Sequence, residues 1–546
     1  MIRPRVKLAV SLGCAALVFL LLALFQFLSA DKIAAAPSHA VLEPESFRHY
    51  FAQFSRDERI MLGKSDPVEW EWFEQNIPWF EAPDKQLEEI YYFRWYSFQK
   101  HVKPAPAGFV IDEFEADVPW AGKHNTISAA AGHHIREARW LRNSRYVEDY
   151  SNFWFSPDGD PRRYSFWAAD SVYHLVLATG DKQFAVNLLP HLQANYEKWE
   201  KTHQDANGLF WQIDDRDGME FSIGGSGYRP TINSYMYGDA VAIARIAEMA
   251  DRSDVAQAYQ AKADHLRQLI ETQLWNPRDN FYETVYRGRT GWSGVRELVG
   301  FVPWYFDVPS PGRASAWKEL FDAQGFAGRF GPTTAERRSP RFNFQNPHEC
   351  LWNGPSWPFA TTQTLVALAN LLDGREKSGM SSEDYFRLLR AYTESQHIRA
   401  PDGRVIPWID ENLNADTGEW IARNVLISKN QPPLNRGRYY NHSGYADLII
   451  TGLIGIRPSA ANNLLIQPLV PPGKWDYFAL DGVPYHGHSL TVIYDRTGER
   501  YHRGTGLSVL SDGHVIGHGG SLGTISVVLP ENRETEEAKT LHRKIH

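Results

Sequence analysis

"SDVAQAYQAKADHLRQLIETQLW", residues 253–275, places Val255, Tyr259, Leu266, Ile270 and Leu274 on one face at helical spacing, and its Ser-Asp start reads as a cap. Comparable apolar stripes recur near 128–145, 164–179, 182–200, 231–250, 311–324, 356–373, 382–397 and 443–455, within a helical region running from about 85 to 457. Between them lie long Gly/Pro/Trp-rich loops: "DPRRYSFW" (160–167), "DRDGMEFSIGGSGYRP" (215–230) and "HECLWNGPSWP" (348–358). Paired helices with chemistry-rich loops at one end predict a toroid of helical hairpins around a central cleft.

Past Pro458 the texture changes to short alternating runs, "NLLIQPLV", "SLTVIYDRTG" and "GTISVVLP", punctuated by turns, and predicts a small all-β module over 458–530. Residues 531–546 read as a charged tail. At the other end, Leu8–Leu28 is an uncharged apolar run preceded by Arg3, Arg5 and Lys7, long enough to span about 30 Å of bilayer. Cleavage signals after it are poor, so residues 1–30 are expected to be an uncleaved signal-anchor rather than a removed signal peptide. The Ala/Pro/Ser-containing residues 31–45 would link it to a domain over 46–457. This predicts a membrane-anchored protein whose catalytic part is extracytoplasmic, or secreted if the segment is cut.

A chain of 546 residues exceeds one ordinary core, and its net charge of −8, with no basic stripe, excludes a nucleic-acid partner. Its 19 Trp suit either a large core or the stacking of flat ligands such as sugars. Two cysteines, Cys14 and Cys350, make no disulfide framework, and Cys350 reads as a buried small hydrophobe. His133-His134, His486 and His488 read as turn or satisfied-surface residues rather than zinc ligands, so no metal and no organic cofactor is implied.

The loop around 214–220 packs Asp214, Asp215, Asp217 and Glu220 into seven positions. The calcium-loop pattern is missing. The three aspartates read either as a solvated turn or as hydroxyl-binding groups. Glu220 differs, because Met219 and Phe221 flank it and a flexible Gly224–Gly227 run follows. Apolar neighbours raise a carboxyl pKa, which makes Glu220 a candidate proton donor.

These stretches resemble the inverting six-hairpin glycosidases of glycoside hydrolase families 37 and 63, which include trehalases and mannosylglycerate hydrolases. "PRRYSFWAADSVYHLVLATGD" (161–181) resembles their first sugar-facing helix, which implies substrate binding by Arg163, Trp167 and Asp170; the family has Trp-Asp adjacent, whereas here Ala168 and Ala169 intervene. "RDGMEFSIGG" (216–225) resembles "ESGWDFSSRW", whose Asp is the general acid, so the resemblance implies Glu220 in that role. "RPTINSYMYGDA" (229–240) resembles the next helix and implies Arg229, Asn233 and Tyr235 as substrate-binding. "CLWNGPSWPFATTQ" (350–363) resembles "YWRGPIWPQ", with Trp352 and Trp357 conforming and Asn353 replacing Arg. Finally "WIDENLNADTGEWIARN" (408–424) resembles "YYENYNPDTGEG" and implies Glu411 as the general base, with Trp408 beside it, Asp410 and Glu419 being bland competitors. "NHSGYADLIITGL" (441–453) resembles the terminal helix, with Tyr445 in place of Trp.

The resemblance implies a mainly α, (α/α)6 toroid with the C-terminal β module and the N-terminal transmembrane segment. It implies an inverting, exo-acting glycoside hydrolase working on an oligosaccharide or glycoconjugate. An inverting phosphorylase with a phosphate site in place of the base, a non-catalytic membrane-tethered carbohydrate-binding protein, and thirdly a polysaccharide lyase are the alternatives.

Overall fold

The Thr179-Gly180-Asp181 joint shows how this chain builds a helical hairpin. Helix α1 (Ala168–Thr179) ends where Gly180 adopts φ 77° and returns its N–H to the Val176 carbonyl, and α2 (Lys182–His203) starts where the Asp181 side chain accepts the Phe184 N–H at 3.1 Å. Pro230 and Pro358 occupy the first turns of α3 (Pro230–Met249) and α5 (Pro358–Leu371), where a missing N–H costs nothing. Helix α4 (Ser253–Leu269) buries the five residues of its stripe as expected, the last two in a wider turn over Ile270–Leu274. The expected Ser-Asp cap does not form. Arg252 is the N-cap residue without a side-chain cap bond, and Asp254 pairs with the Arg252 guanidinium at 3.1 Å instead.

The computed structural model describes residues 39–65, 68–344, 348–373, 378–432 and 435–531. Six elements pack in succession: Ser128–Ala138, α1, α3, Leu298–Tyr305, α5 and Leu448–Leu453. The ring closes through Glu137. Its carboxylate accepts the N–H groups of Tyr445, Ala446 and Asp447, the start of the last element, and also binds Arg94 at 2.8 Å. Outer helices such as α2 and α4 pack behind α3.

The β module is present. A five-stranded antiparallel sheet has the order β1 (Trp79–Glu81), β4 (Tyr477–Tyr485), β5 (His488–Asp495), β6 (Gly506–Ser511), β7 (His514–Gly519). A smaller sheet pairs β8 (Ile525–Val528) with β3 (Asn463–Ile466) and β3 with β2 (Ile456–Arg457). The edge strand β1 comes from almost 400 residues upstream, in register Trp79 with Asp481. Asp481 also accepts the backbone N–H groups of Ala40, Val41 and Leu42, which docks part of the expected linker on the sheet.

The expected transmembrane element is corrected. Among the described residues no helix is long and apolar enough to cross a membrane, and residues 8–28, on which that expectation rests, lie outside them. The fold of the described residues therefore supports neither a membrane anchor nor the extracytoplasmic placement drawn from it. The expected charged tail, from 532 onward, also lies outside the described residues.

Candidate active site

The loop over 211–229 is a built structure rather than a solvated acidic turn. Asp217 is buried and accepts from Arg229 Nε and Ser165 Oγ, each at 2.5 Å, and from the Thr231 hydroxyl. Arg229, itself fully buried, continues to Ser222 Oγ at 3.0 Å, the Gly225 carbonyl and Met219 Sδ at 3.2 Å. The glycines are required, not flexible. A Cβ on Gly224 would lie 2.3 Å from Glu297 Oε2, and one on Gly227 2.4 Å from the Val285 carbonyl. On this footing the chain turns sharply at Phe221, a bulky residue at φ 61°, and presents Glu220.

Phe221 does not shield Glu220 as the sequence suggests. It is 54% exposed and lies against the His348 ring. Tertiary neighbours take over. Burial, and then the charges of Asp215, Glu411 and Glu113, push the Glu220 carboxyl up to about 8.

Glu411 arrives from a distant loop and is 1% exposed. Arg436 donates to it through Nε at 2.7 Å and Nη2 at 3.4 Å, and Cys350 Sγ donates at 3.4 Å. The Arg436 guanidinium also reaches Glu349 at 3.3 Å and covers the Trp120 ring. Cys350 is thus a neighbour of the candidate base, not an inert hydrophobe. Asp410 faces backbone: it accepts the Glu411 N–H at 2.9 Å and abuts Gly437, and burial followed by the Glu411 charge pushes it up to about 6. Glu419 is exposed.

The Trp352–Trp357 loop straps the two carboxylates together. Trp352 N–H donates to the Glu220 carbonyl at 3.1 Å, while Ser356 and Leu413 exchange backbone bonds at 2.9 and 3.0 Å. The two indoles stack on each other at 4.7 Å, both 2% exposed. A third carboxylate, Glu113, stands within electrostatic reach of Glu220. His442 Nδ1 lies 3.1 Å from Glu113 Oε1 and also contacts the Tyr440 hydroxyl.

Residues 123–443 match the mannosylglycerate hydrolase MGH1-like glycoside hydrolase domain. The chain belongs to this family of glycoside hydrolases. Residues 456–517 match the C-terminal domain of glycosyl hydrolase family 65, which covers most of the β module. A solved structure described as "Sialidase" is 40% identical, with a TM-score of 0.83 over 90% of this chain and 45% of that one. The family 78 rhamnosidase of Bacillus sp. GL1 shares the fold at 13% identity, with a TM-score of 0.52 over 82% of this chain and 42% of that one. A protein of Borreliella burgdorferi described as uncharacterized is 25% identical over 148 residues, 27% of this chain and 30% of that one. The chain therefore spans less than half the length of these relatives.

Several side chains expected to bind substrate make contacts inside the fold. Arg229 braces Asp217, and Asn233 bonds the Phe210 N–H and carbonyl. Trp167 is fully buried among Tyr235, His133 and Phe359, and Tyr235 accepts from Gln363 at 2.8 Å. Asp170 pairs with Arg136 at 2.7 Å, and Tyr445 bonds Thr393. Trp408 packs on Tyr439 under Arg423. Trp352, Trp357 and Asn353 stay at the carboxylates, the Asn353 side-chain oxygen buried without a partner among the described residues. Arg163 is half-buried. His133 and His134 are buried in a helix, not on the surface, because the ring of helices closes around them; His134 bonds Tyr150 and the Asn441 carbonyl. His488 is likewise buried, against Asp512 at 2.7 Å.

Glu113, Arg436, Tyr440 and His442 were not among the expected site residues. Glu113, Arg436 and Tyr440 sit in "DEFEADVPW" (112–120) and "NRGRYYN" (435–441), which have no periodicity, and His442 lies in the stretch matched to the terminal helix only through Tyr445; the closing of the ring brings them to Glu220 and Glu411.

Proposed function

We propose that this glycoside hydrolase works by inversion, with Glu220 as general acid and Glu411 as general base. The observation that carries this reading is the Glu220 carboxyl, pushed up to about 8 beside a second carboxylate that is paired with an arginine. A carboxylic acid neutral at physiological pH can protonate the leaving glycosidic oxygen, and the carboxylate opposite can take a proton from water attacking the other face of the ring. The two loops serve that division of labour. Trp352 fixes the Glu220 backbone, the Ser356–Leu413 pair fixes the Glu411 loop, and Arg436 orients the base.

In this reading the enzyme is exo-acting and takes a terminal sugar of an oligosaccharide or glycoconjugate, as the family resemblance implies. Membership of a glycoside hydrolase family and an intact carboxylate pair weigh against a phosphorylase or a non-catalytic binding protein. The test is NMR of the first-formed product: inverted anomeric configuration is expected, and a retained one would refute the water-activating role of Glu411. Release of sugar phosphate only when phosphate is supplied would refute hydrolysis.

A further inference from the structure

The Glu113–His442 pair leaves two polar atoms unanswered. Glu113 is 3% exposed and His442 5%, yet Glu113 Oε2 and His442 Nε2 have no hydrogen-bond partner among the described residues. Their inner atoms face each other, His442 Nδ1 at 3.1 Å from Glu113 Oε1, so each holds the other's orientation. The pair belongs to the wall of the carboxylate site. Glu113 is one of the charges felt by Glu220, Tyr440 joins His442 to Trp357, and Phe359 joins His442 to Trp352. An unpaired carboxylate oxygen and an unpaired imidazole nitrogen, both taken out of water, are costly unless a ligand meets them.

We propose that Glu113 and His442 bind two neighbouring hydroxyl groups of the glycone and that the glycone is a neutral sugar. A sugar hydroxyl donates to Glu113 Oε2, and its neighbour donates to His442 Nε2, an acceptor in the neutral ring whose Nδ1–H faces Glu113 Oε1. The neutrality follows from charge. Arg436, the guanidinium bonded to Glu411, is already engaged by Glu411 and Glu349; Arg216, near the same carboxylates, pairs with Asp215 at 3.4 Å and lies over the Tyr164 ring; and Glu113 would repel a sugar acid. This inference rests on the glycosidase reading of the site and adds the substrate class to it.

The experiment uses the full chain. Neutral aryl glycosides and their sugar-acid counterparts, including an aryl sialoside, are assayed with wild type, and the best substrate is then compared with its single-deoxy analogues using wild type, Glu113→Gln and His442→Gln. Hydrolysis of neutral glycosides is expected, with a loss of about 10- to 100-fold in kcat/KM for the deoxy analogue that vacates Glu113, the scale of a hydrogen bond to a charged group. In Glu113→Gln that penalty should shrink to a few-fold, a readout that a merely structural role would not move; His442→Gln should do the same for the adjacent hydroxyl. Turnover of sugar acids alone, or undiminished deoxy penalties in both variants, would overturn the proposal. If wild type hydrolyses no glycoside, the glycosidase reading fails, and calorimetric titration with neutral monosaccharides judges the pair by itself: binding at least 10-fold weaker in Glu113→Gln supports it, and equal binding refutes it.

Discussion

At the scale of the residue, Glu220 carries the most consequence. Burial pushes its carboxyl up to about 8, so kcat/KM should hold through neutral pH and fall as pH rises past about 8, where the acid loses its proton. Glu220→Gln and Glu411→Gln should each lower kcat by about two or more orders of magnitude on an aryl glycoside with a poor leaving group; near-normal rates would sink the assignment. Stability moves the other way. Because the folded pKa lies above the unfolded value, the unfolded chain loses its proton first, and Glu220 costs progressively more stability between about pH 4.5 and 8. Glu220→Gln removes that cost, so the variant should be more stable than wild type at pH 8 by about 1 to 3 kcal/mol, discounted for partial exposure, and little different at pH 4. Equal pH dependence of denaturant midpoints in the two proteins would show that the carboxyl is not shifted.

Elements convert these residues into geometry, and two glycines separate positioning from stability. Gly180 ends a helix in the left-handed region against His486 of the β module, so Gly180→Ala should cost roughly 1 kcal/mol and leave kcat unchanged. Gly224 lies in the loop that presents Glu220, and the Cβ of Gly224→Ala would run into Glu297 Oε2. That loop must move, and kcat should fall about 10- to 100-fold, the scale of an ångström of misplacement. Asp217→Asn breaks the buried pair beneath the same loop and leaves Arg229 uncompensated, at a cost of about 3 to 5 kcal/mol. Paired thermal melts and rates on the three variants check all three; an active, unshifted Asp217→Asn would show that the pair is dispensable.

Across the whole molecule the helical ring and the β sheets are bonded into one unit. β1 joins a sheet almost 400 residues downstream, His486 bonds the Leu177 and Ala178 carbonyls at the end of α1, and Gln467 reaches the Leu372 carbonyl. Calorimetry should therefore record a single cooperative transition, and two resolved transitions would show that the sheets fold apart from the ring. Helical periodicity, turn residues and the change of texture at Pro458 made the mainly helical ring region and the β module legible in the sequence, because 3.6-residue and two-residue patterns are local signals. Glu220 and Glu411 were legible for a different reason, their place in short motifs. Several of the expected substrate-binding side chains also have partners inside the fold. Arg229, Asn233, Asp170 and Tyr445 bond within the protein, since a buried charge or polar group is costly without a partner. By itself, then, the sequence determined the helical and β elements, the family and the two candidate carboxylates. Tertiary structure alone decided what raises the Glu220 pKa and what holds Glu411, and it alone brought Glu113 to His442, because these depend on desolvation and charge between loops up to 330 residues apart, which no local pattern encodes.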